Sequence, residues 1–205
     1  MSKKITENYD HEKNASDVSS SLRSSGYVYL QGLSLQNRYP ENSLRAVLSV
    51  KNLNAIVVGG IYEETRVRLC QEYGAMLKKR VLFMGMIDQL QIPSFLVEAL
   101  FSIVLYTTDI PNSRYCEPNR LYQSLAMNVP VIVGCNEPMK EIVEDYGFGI
   151  VLKSDGRDLN ELCAAVRRMM LERFLFIEAI KLNKSKFMWE QQDEILNDLI
   201  YSEEN

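Results

Sequence analysis

Residues 26–158 alternate between two hydrophobic patterns, one typical of buried strands and one typical of amphipathic helices. Short apolar, β-branched runs predict six strands, at residues 27–31, 54–58, 81–84, 102–107, 131–134 and 150–152. Apolar residues at helical spacing predict helices at residues 41–50, 63–73, 92–100, 118–127 and 138–146. Because strands and helices alternate, we expect right-handed crossovers and an α/β, Rossmann-like parallel sheet of about six strands, with helices on both faces.

The two ends of the chain depart from this alternation. Residues 1–25 are polar, rich in Ser and Asn and without periodicity, which predicts a linker or leader. Residues 26–185 are expected to form one folded domain. Beyond Asp158 the pattern is helical, and a last helix is expected at residues 188–201. Ligands of parallel sheets bind at the carboxyl ends of the strands near the point where strand order reverses, so a site is expected there.

The segment from Cys116 to Val133 has the pattern of a phosphate site followed by a buried strand. Pro118 suits the first position of a helix, where its missing N–H would have no partner in any case. Three backbone amides would then point at a bound phosphate, alongside the positive end of the helix dipole. They belong to Asn119, Arg120 and Leu121. The preceding strand ends in residues that could line the same site but are interpreted as ordinary strand-end residues: Tyr106, Thr107 and Thr108.

Composition argues against several classes of function. The 205 residues are 46% hydrophobic, enough for a sizeable core, and the net charge of −4 lacks the basic excess typical of nucleic-acid-binding proteins. The four cysteines have no metal-site spacing, which indicates free thiols in a reducing compartment. The sequence has no secretory h-region and no apolar run long enough for a membrane span. The single histidine, His11, lies in the leader, which argues against mechanisms that need a histidine in the folded domain.

Four segments resemble, in order, the motifs of the C-terminal, donor-binding domain of GT-B nucleotide-sugar glycosyltransferases. They are Gln31-Gly32, Gly59-Gly60, Val81-Leu-Phe-Met-Gly85 and Glu117-Pro-Asn-Arg-Leu-Tyr-Gln-Ser-Leu-Ala-Met-Asn-Val-Pro-Val-Ile132. The resemblance covers about residues 26–200, includes Phe187-Met-Trp-Glu190, and is greatest to the retaining bacterial enzymes that build surface polysaccharides. It implies a hexosyltransferase-type enzyme that transfers a sugar from a nucleoside-diphosphate sugar to a saccharide or lipid-linked acceptor.

The resemblance also implies which residues bind the donor. The diphosphate would be held by Gly32, by Arg38 at the family's basic position, and by the helix start at Pro118, Asn119, Arg120 and Leu121. The base would lie on the loop of Met84, Gly85 and Met86. The sugar and ribose would contact Glu117 and Gln123, and Gln123 stands where the family has a glutamate. Leu33 stands where relatives often have a second basic residue.

Partners and location follow from the same resemblance. A whole GT-B enzyme has an N-terminal domain that holds the acceptor and often a catalytic histidine, so this chain is expected to be a donor half, with that domain outside it. Alone it is expected to be inactive, and no catalytic residue is assigned in it. Residues 186–205 would form the helix that crosses to the other domain. The full enzyme is expected in the cytoplasm, where it could associate peripherally with the inner face of the membrane.

The nucleotide sugar is the only small-molecule partner expected, without a metal or other cofactor and without nucleic acid. Two alternatives stay open. A non-catalytic nucleotide-binding module of the same fold is favoured by Gln123 and Leu33. A nucleotide-sugar epimerase half is disfavoured, because that class relies on histidine and acidic residues and the domain contains no histidine.

Overall fold

The computed structural model describes residues 20–33 and 36–187. Within these residues the sheet has six strands: β1 Tyr27–Gln31, β2 Asn54–Val58, β3 Val81–Gly85, β4 Ala99–Val104, β5 Val131–Val133 and β6 Gly149–Val151. Each strand pairs in parallel with its neighbours, and the spatial order is β3-β2-β1-β4-β5-β6. The Rossmann-like α/β prediction is confirmed.

Helices connect the strands and end at recognisable sequence signals. They are α1 Ser20–Ser25, α2 Pro40–Leu48, α3 Glu63–Tyr73, α4 Ala75–Arg80, α5 Ile92–Leu96, α6 Pro111–Arg114, α7 Asn119–Ala126, α8 Glu137–Tyr146 and α9 Leu159–Asn183. Short 3₁₀ segments lie at Gln36–Arg38, Gln89–Gln91 and Lys184–Phe187. Gly147 ends α8 in the left-handed conformation, with a φ of 66°. The Asp158 side chain caps α9 by accepting from two backbone amides of its first turn.

The core lies on both faces of the sheet, because the strands are apolar in both directions. On one face, Val28 and Ile103 belong to a buried cluster with α2, α3, α4 and the first half of α9. On the other face, Tyr29 clusters with residues of α1 and α5. Val104 and Val133 cluster there with α7 and α8. Helix α7, whose start was predicted to bind phosphate, is thereby fixed against β4 and β5.

The boundary between α5 and β4 differs from the prediction. The helix expected at residues 92–100 ends at Leu96, and β4 begins at Ala99 instead of residue 102. Ala99 pairs with Tyr27 at the start of β1, and this pairing makes it the first residue of β4. Periodicity alone cannot divide a continuous apolar run between a buried helix and a buried strand, which explains the error. Residues 105–107 follow the last pair of β4 and belong to the next loop.

Three further α-helices were not predicted: α1, α4 and α6. Residues 20–25, expected within the leader, form α1, and Leu22 is buried against the sheet. Helix α4 lies between α3 and β3, and Arg80 at its end donates to the carbonyls of Leu48, the last residue of α2, and of Val50 in the turn after it. The expected helix at residues 188–201 and the remaining leader residues lie outside the described part of the chain.

The topology places a crevice at the centre of the sheet. The chain runs outward from β1 to β2 and β3, then returns to place β4 on the other side of β1. Ligands of doubly wound sheets bind at the carboxyl ends of the strands beside such a reversal. Here this is the edge formed by the ends of β1 and β4.

Candidate functional site

A cavity of about 410 Å³ opens at the carboxyl ends of β1, β2 and β3, beside the start of α7. Its lining comes from the ends of three strands and from α7, and includes Gln31, Gly32, Gly59, Gly60, Met86, Ile87, Asn119, Arg120 and Gln123. Five residues predicted from the sequence therefore share one cavity: Gly32, Met86, Asn119, Arg120 and Gln123.

Gly32 lets two guanidinium groups converge on the end of β1. Its φ is 69°, a left-handed conformation that favours glycine. A Cβ at this position would lie 2.5 Å from Arg38 Nη1 and 3.8 Å from Arg120 Nη1. Arg38 Nη1 donates to the Gly32 carbonyl at 2.8 Å, and Arg120 Nη1 donates to the Gln31 carbonyl. Arg38, predicted as a diphosphate ligand, is thus adjacent to the cavity.

Both guanidinium groups also lie over one aromatic ring. The Cζ atoms of Arg38 and Arg120 are 5.0 Å and 4.7 Å from the ring centroid of Tyr106. Two unit charges about 4–8 Å apart repel by roughly 2–4 kcal/mol at an effective dielectric constant of about 20. Each cation–π contact offsets about 0.5–2 kcal/mol. The ring therefore offsets part of the repulsion between the two arginines. An added anion would be strongly attracted to them.

Arg120 is a buried cation with unused donors. It is 9% exposed, and its Nε and Nη2 groups have no partner among the described residues, as is also true of Arg38 Nε. Burial lowers the pKa of Arg120 below its ordinary value, and the charge of Arg38 acts in the same direction. Arginine nevertheless stays charged in proteins. Buried, charged donors without partners are costly, so this arrangement indicates a site for an anion such as phosphate.

The start of α7 differs from the predicted geometry. Pro118 is the N-cap, with an extended backbone at φ −79° and ψ 138°, and the helix begins one residue later. The Leu121 amide donates to the Pro118 carbonyl at 2.9 Å. Two amides instead of three, those of Asn119 and Arg120, therefore have no partner among the described residues. The Leu121 side chain is fully buried in the core.

Gln123 and Glu117 occupy different environments. Gln123 lines the cavity, and its Oε1 atom is buried without a partner in the described part of the chain. Glu117 is exposed, and its Oε2 atom accepts from the Tyr122 hydroxyl at 2.5 Å. Burial and this hydrogen bond both raise the pKa of Tyr122. Of the two residues predicted to contact ribose and sugar, Gln123 is the one that lines the cavity.

The predicted base-binding loop is divided between cavity and core. Met86 is 67% exposed and lines the cavity, whereas Met84 is 2% exposed and belongs to the core. The Gly85 carbonyl accepts from the Gly59 amide at 2.6 Å, which joins the ends of β2 and β3. Leu33, at the family's second basic position, is buried and packs in the core. Its side chain therefore makes no phosphate contact.

Sequence reasoning missed a carboxylate that joins the loops around the cavity. Asp155 follows β6, is 1% exposed, and accepts from the Tyr39 hydroxyl at 2.8 Å, the Thr108 amide at 2.9 Å and Arg157 Nε at 2.8 Å. Tyr39, directly after Arg38, has a φ of 49°, a strained conformation for a tyrosine. The only signal in the sequence was a polar turn, Ser154-Asp-Gly-Arg157, at the carboxyl edge of the sheet.

Solved structures with this architecture include several glycosyltransferases. Sucrose-phosphate synthase from Thermosynechococcus elongatus is 21% identical, with a TM-score of 0.68, over 88% of this chain and 47% of that protein. Anabaena HepE in complex with UDP is 14% identical, with a TM-score of 0.71, over 88% and 50%. WaaG, a glycosyltransferase involved in lipopolysaccharide biosynthesis, is 15% identical, with a TM-score of 0.67, over 94% and 54%.

The fold is that of one GT-B domain. The chain spans about half the length of these three proteins. No protein-family model matches the sequence, and no curated protein matches it either. At these identities the likeness establishes the fold alone.

Across residues 20–33 and 36–187, no helix combines the length and apolar character needed to cross a membrane. In the same ranges, no three His, Cys, Asp or Glu side chains are grouped so that they could hold a metal ion.

Proposed function

We propose that this chain is the donor-binding half of a glycosyltransferase that takes a nucleoside-diphosphate sugar as its substrate. The sugar would pass to a saccharide or lipid-linked acceptor in surface glycan synthesis, as in the retaining, hexose-transferring enzymes that its motifs resemble. The acceptor and the catalytic groups would belong to a second domain, so the chain alone would bind the donor without transferring it.

The pair of guanidinium groups carries this proposal. Arg38 and Arg120 converge on Gly32 at the reversal of strand order, with buried N–H groups that have no partner among the described residues. Two charged forks on one cavity fit the several oxygens of a diphosphate better than a single carboxylate. The amides of Asn119 and Arg120 at the start of α7 add to the same positive potential.

The remaining lining fits the rest of a nucleotide. Gln123 offers an unpartnered Oε1 atom to hydroxyl groups such as those of a ribose. Met86 and Ile87 offer an apolar surface to a base, beside the main chain of Gly59 and Gly60. HepE, of similar fold, has been solved with UDP, with UDP and glucose, and with UDP-glucose. These observations support a nucleoside-diphosphate sugar, and UDP is the first nucleotide to test.

Location and cofactors are part of the proposal. The enzyme would work in the cytoplasm, at the inner face of the membrane when its acceptor is lipid-linked. The donor diphosphate would be neutralised by arginines and helix amides, so the proposal requires neither a metal ion nor another cofactor.

Calorimetric titration of this chain with UDP, GDP and UDP-glucose tests the proposal. We expect Arg38→Met and Arg120→Met each to weaken binding about tenfold or more, since a hydrogen bond to a charged group contributes about 1.5–3 kcal/mol. Arg66→Met is the matched control, because Arg66 is exposed on α3 and outside the cavity lining. Binding of none of these nucleotides to a folded chain would refute the donor-site assignment.

A non-catalytic nucleotide-binding module is the second candidate, favoured by Leu33 and Gln123. Leu33 supplies no second phosphate contact, and Gln123 carries no charge where a glutamate was expected. The two candidate functions differ in how much the sugar group of the nucleotide adds to its affinity. A donor half is expected to bind UDP-glucose or another UDP-sugar more tightly than UDP, whereas a nucleotide sensor is expected to bind both equally.

A further inference from the structure

Tyr106 contacts both Arg38 and Arg120 through its ring, and these three residues form a cationic cluster. It lies two residues beyond the end of β4, in the crevice beside β1. The backbone around it is fixed on both sides: the Leu105 side chain is buried, and the Thr107 amide donates to the Asn37 carbonyl at 2.7 Å. The fold therefore holds the backbone of Tyr106, and its ring packs against the core cluster of α7 and α8.

The two arginines reach the ring from distant parts of the chain. Arg38 comes from the loop after β1 and Arg120 from the first turn of α7, and both guanidinium groups lie within 5.0 Å of the ring centroid. Neither arginine forms an ion pair with a carboxylate among the described residues. Within those residues, Tyr106, through its ring and its hydroxyl group, and the carbonyls of Gln31 and Gly32 compensate the two charges.

Charge repulsion would otherwise separate the pair. Arg120 is buried and has little freedom to move, whereas Arg38 is only half-buried and could turn toward water. Contact with an aromatic face favours a guanidinium electrostatically and restricts its orientation. A side chain held in its bound conformation before the ligand arrives loses less entropy on binding.

We propose that Tyr106 is a positioning residue of the diphosphate site: its ring holds Arg38 beside Arg120, so that both reach the same anion. This inference rests on the proposed donor site and adds to it the residue that preorganises the two cations. The ring contacts both guanidinium groups, whereas a hydrogen bond of the hydroxyl group concerns Arg120 alone, so we assign the positioning of Arg38 to the ring.

Three variants and one spectrum test this role. We expect Tyr106→Leu to weaken UDP binding about tenfold, the equivalent of losing one to two cation–π contacts. Tyr106→Phe keeps the ring and should recover most of that loss. Tyr73→Leu is the control for the substitution itself, since Tyr73 is partly buried at the end of α3 and outside the cavity lining. Thermal unfolding of each variant verifies that it is folded.

Nitrogen-15 NMR of the arginine side chains provides a readout that needs no nucleotide. The Nε–H protons of Arg38 and Arg120, assigned with the methionine variants, should be shifted upfield by the ring current of Tyr106. The shifts should persist in Tyr106→Phe and disappear in Tyr106→Leu. Arg66 gives the reference position, and the wild-type spectrum remains informative even if Tyr106→Leu does not fold.

The outcomes separate the positioning role from the donor site. Upfield shifts without nucleotide binding would support the contact of Tyr106 with both arginines but would refute the proposed donor-binding function. Nucleotide binding that is equal in wild type and folded Tyr106→Leu would overturn the positioning role while the donor site stands. Equal losses in Tyr106→Phe and Tyr106→Leu would assign the effect to the hydroxyl group and also overturn it.

Discussion

Gln123 is the side chain of the cavity that we propose contacts the ribose of the donor. It lines the cavity one turn of α7 after Arg120, and its buried Oε1 atom has no partner in the described part of the chain. An unpartnered buried acceptor has lost its hydrogen bonds to water, so a ligand hydroxyl that restores one is favoured. A glutamate here would accept through two charged oxygens, and a glutamine accepts through one neutral oxygen.

Gln123→Glu is therefore expected to tighten UDP binding about fivefold, because a charge-assisted hydrogen bond is about 1 kcal/mol stronger than a neutral one. Titration with UDP and with 2′,3′-dideoxy-UDP measures the effect. The dideoxy nucleotide is the control, since it lacks the hydroxyl groups that the carboxylate would bind and should show little gain. Equal changes for both nucleotides would contradict a ribose contact by this residue.

At the level of elements, the sequence predicts strands best where their ends are marked by polar or glycine residues. Strands β1 and β2 have the predicted bounds, and Gly59 and Gly147 end elements as expected. The division between α5 and β4 could not be predicted, because residues 95–105 are almost continuously apolar. The pairing of Ala99 with Tyr27 determines where β4 begins. This contact joins residues far apart in sequence, so the local hydrophobic pattern does not predict it.

At Gly149, the neighbouring strand leaves no room for a side chain. It pairs with Val131 at the start of β6, and a Cβ on it would lie 1.8 Å from the Val131 carbonyl oxygen. The backbone of β5 cannot move aside as the end of a flexible side chain can. Gly149→Ala is therefore expected to lower the free energy of unfolding by about 3 kcal/mol or more. Gly147→Ala is the control. Its Cβ would lie 3.6 Å from Ala179, an ordinary contact, so it should lose about 1 kcal/mol through its left-handed φ. Urea unfolding compares the two, and equal losses would contradict the steric argument.

At the scale of the whole molecule, the candidate site joins segments that are far apart in sequence. Arg38, Gly32 and the start of α7 could be predicted, because they match a known order of motifs. The contact of both arginines with Tyr106 and the bonds of Asp155 could not, because they depend on which loops the parallel sheet brings to one edge. A polar residue in a loop has many possible partners, and the sequence alone does not choose among them.

Asp155 is expected to make that assembly sensitive to acid. Burial alone would raise its pKa, but Arg157, the Thr108 amide and the Tyr39 hydroxyl stabilise the carboxylate and hold the pKa well below the ordinary value. A lowered pKa in the folded state means that the unfolded chain binds the proton more readily. The stability that Asp155 contributes is thus complete above its unfolded pKa of about 4 and is lost progressively as the pH falls below that value.

Asp155→Asn is therefore expected to lower the free energy of unfolding by about 2–3 kcal/mol at pH 7, since it weakens several bonds to a buried charge. Urea unfolding of wild type and variant at pH 7, 5, 4 and 3 measures the difference. It should be constant between pH 7 and 5 and should shrink below about pH 4, where the unfolded wild type takes up the proton that the variant cannot bind. Asp109→Asn is the control, because the Asp109 carboxylate also pairs with Arg157 but is exposed, and its removal should cost little at any of these pH values. A difference for Asp155→Asn that stays the same from pH 7 to 3 would contradict a charged Asp155 as the group that joins the loops of the site.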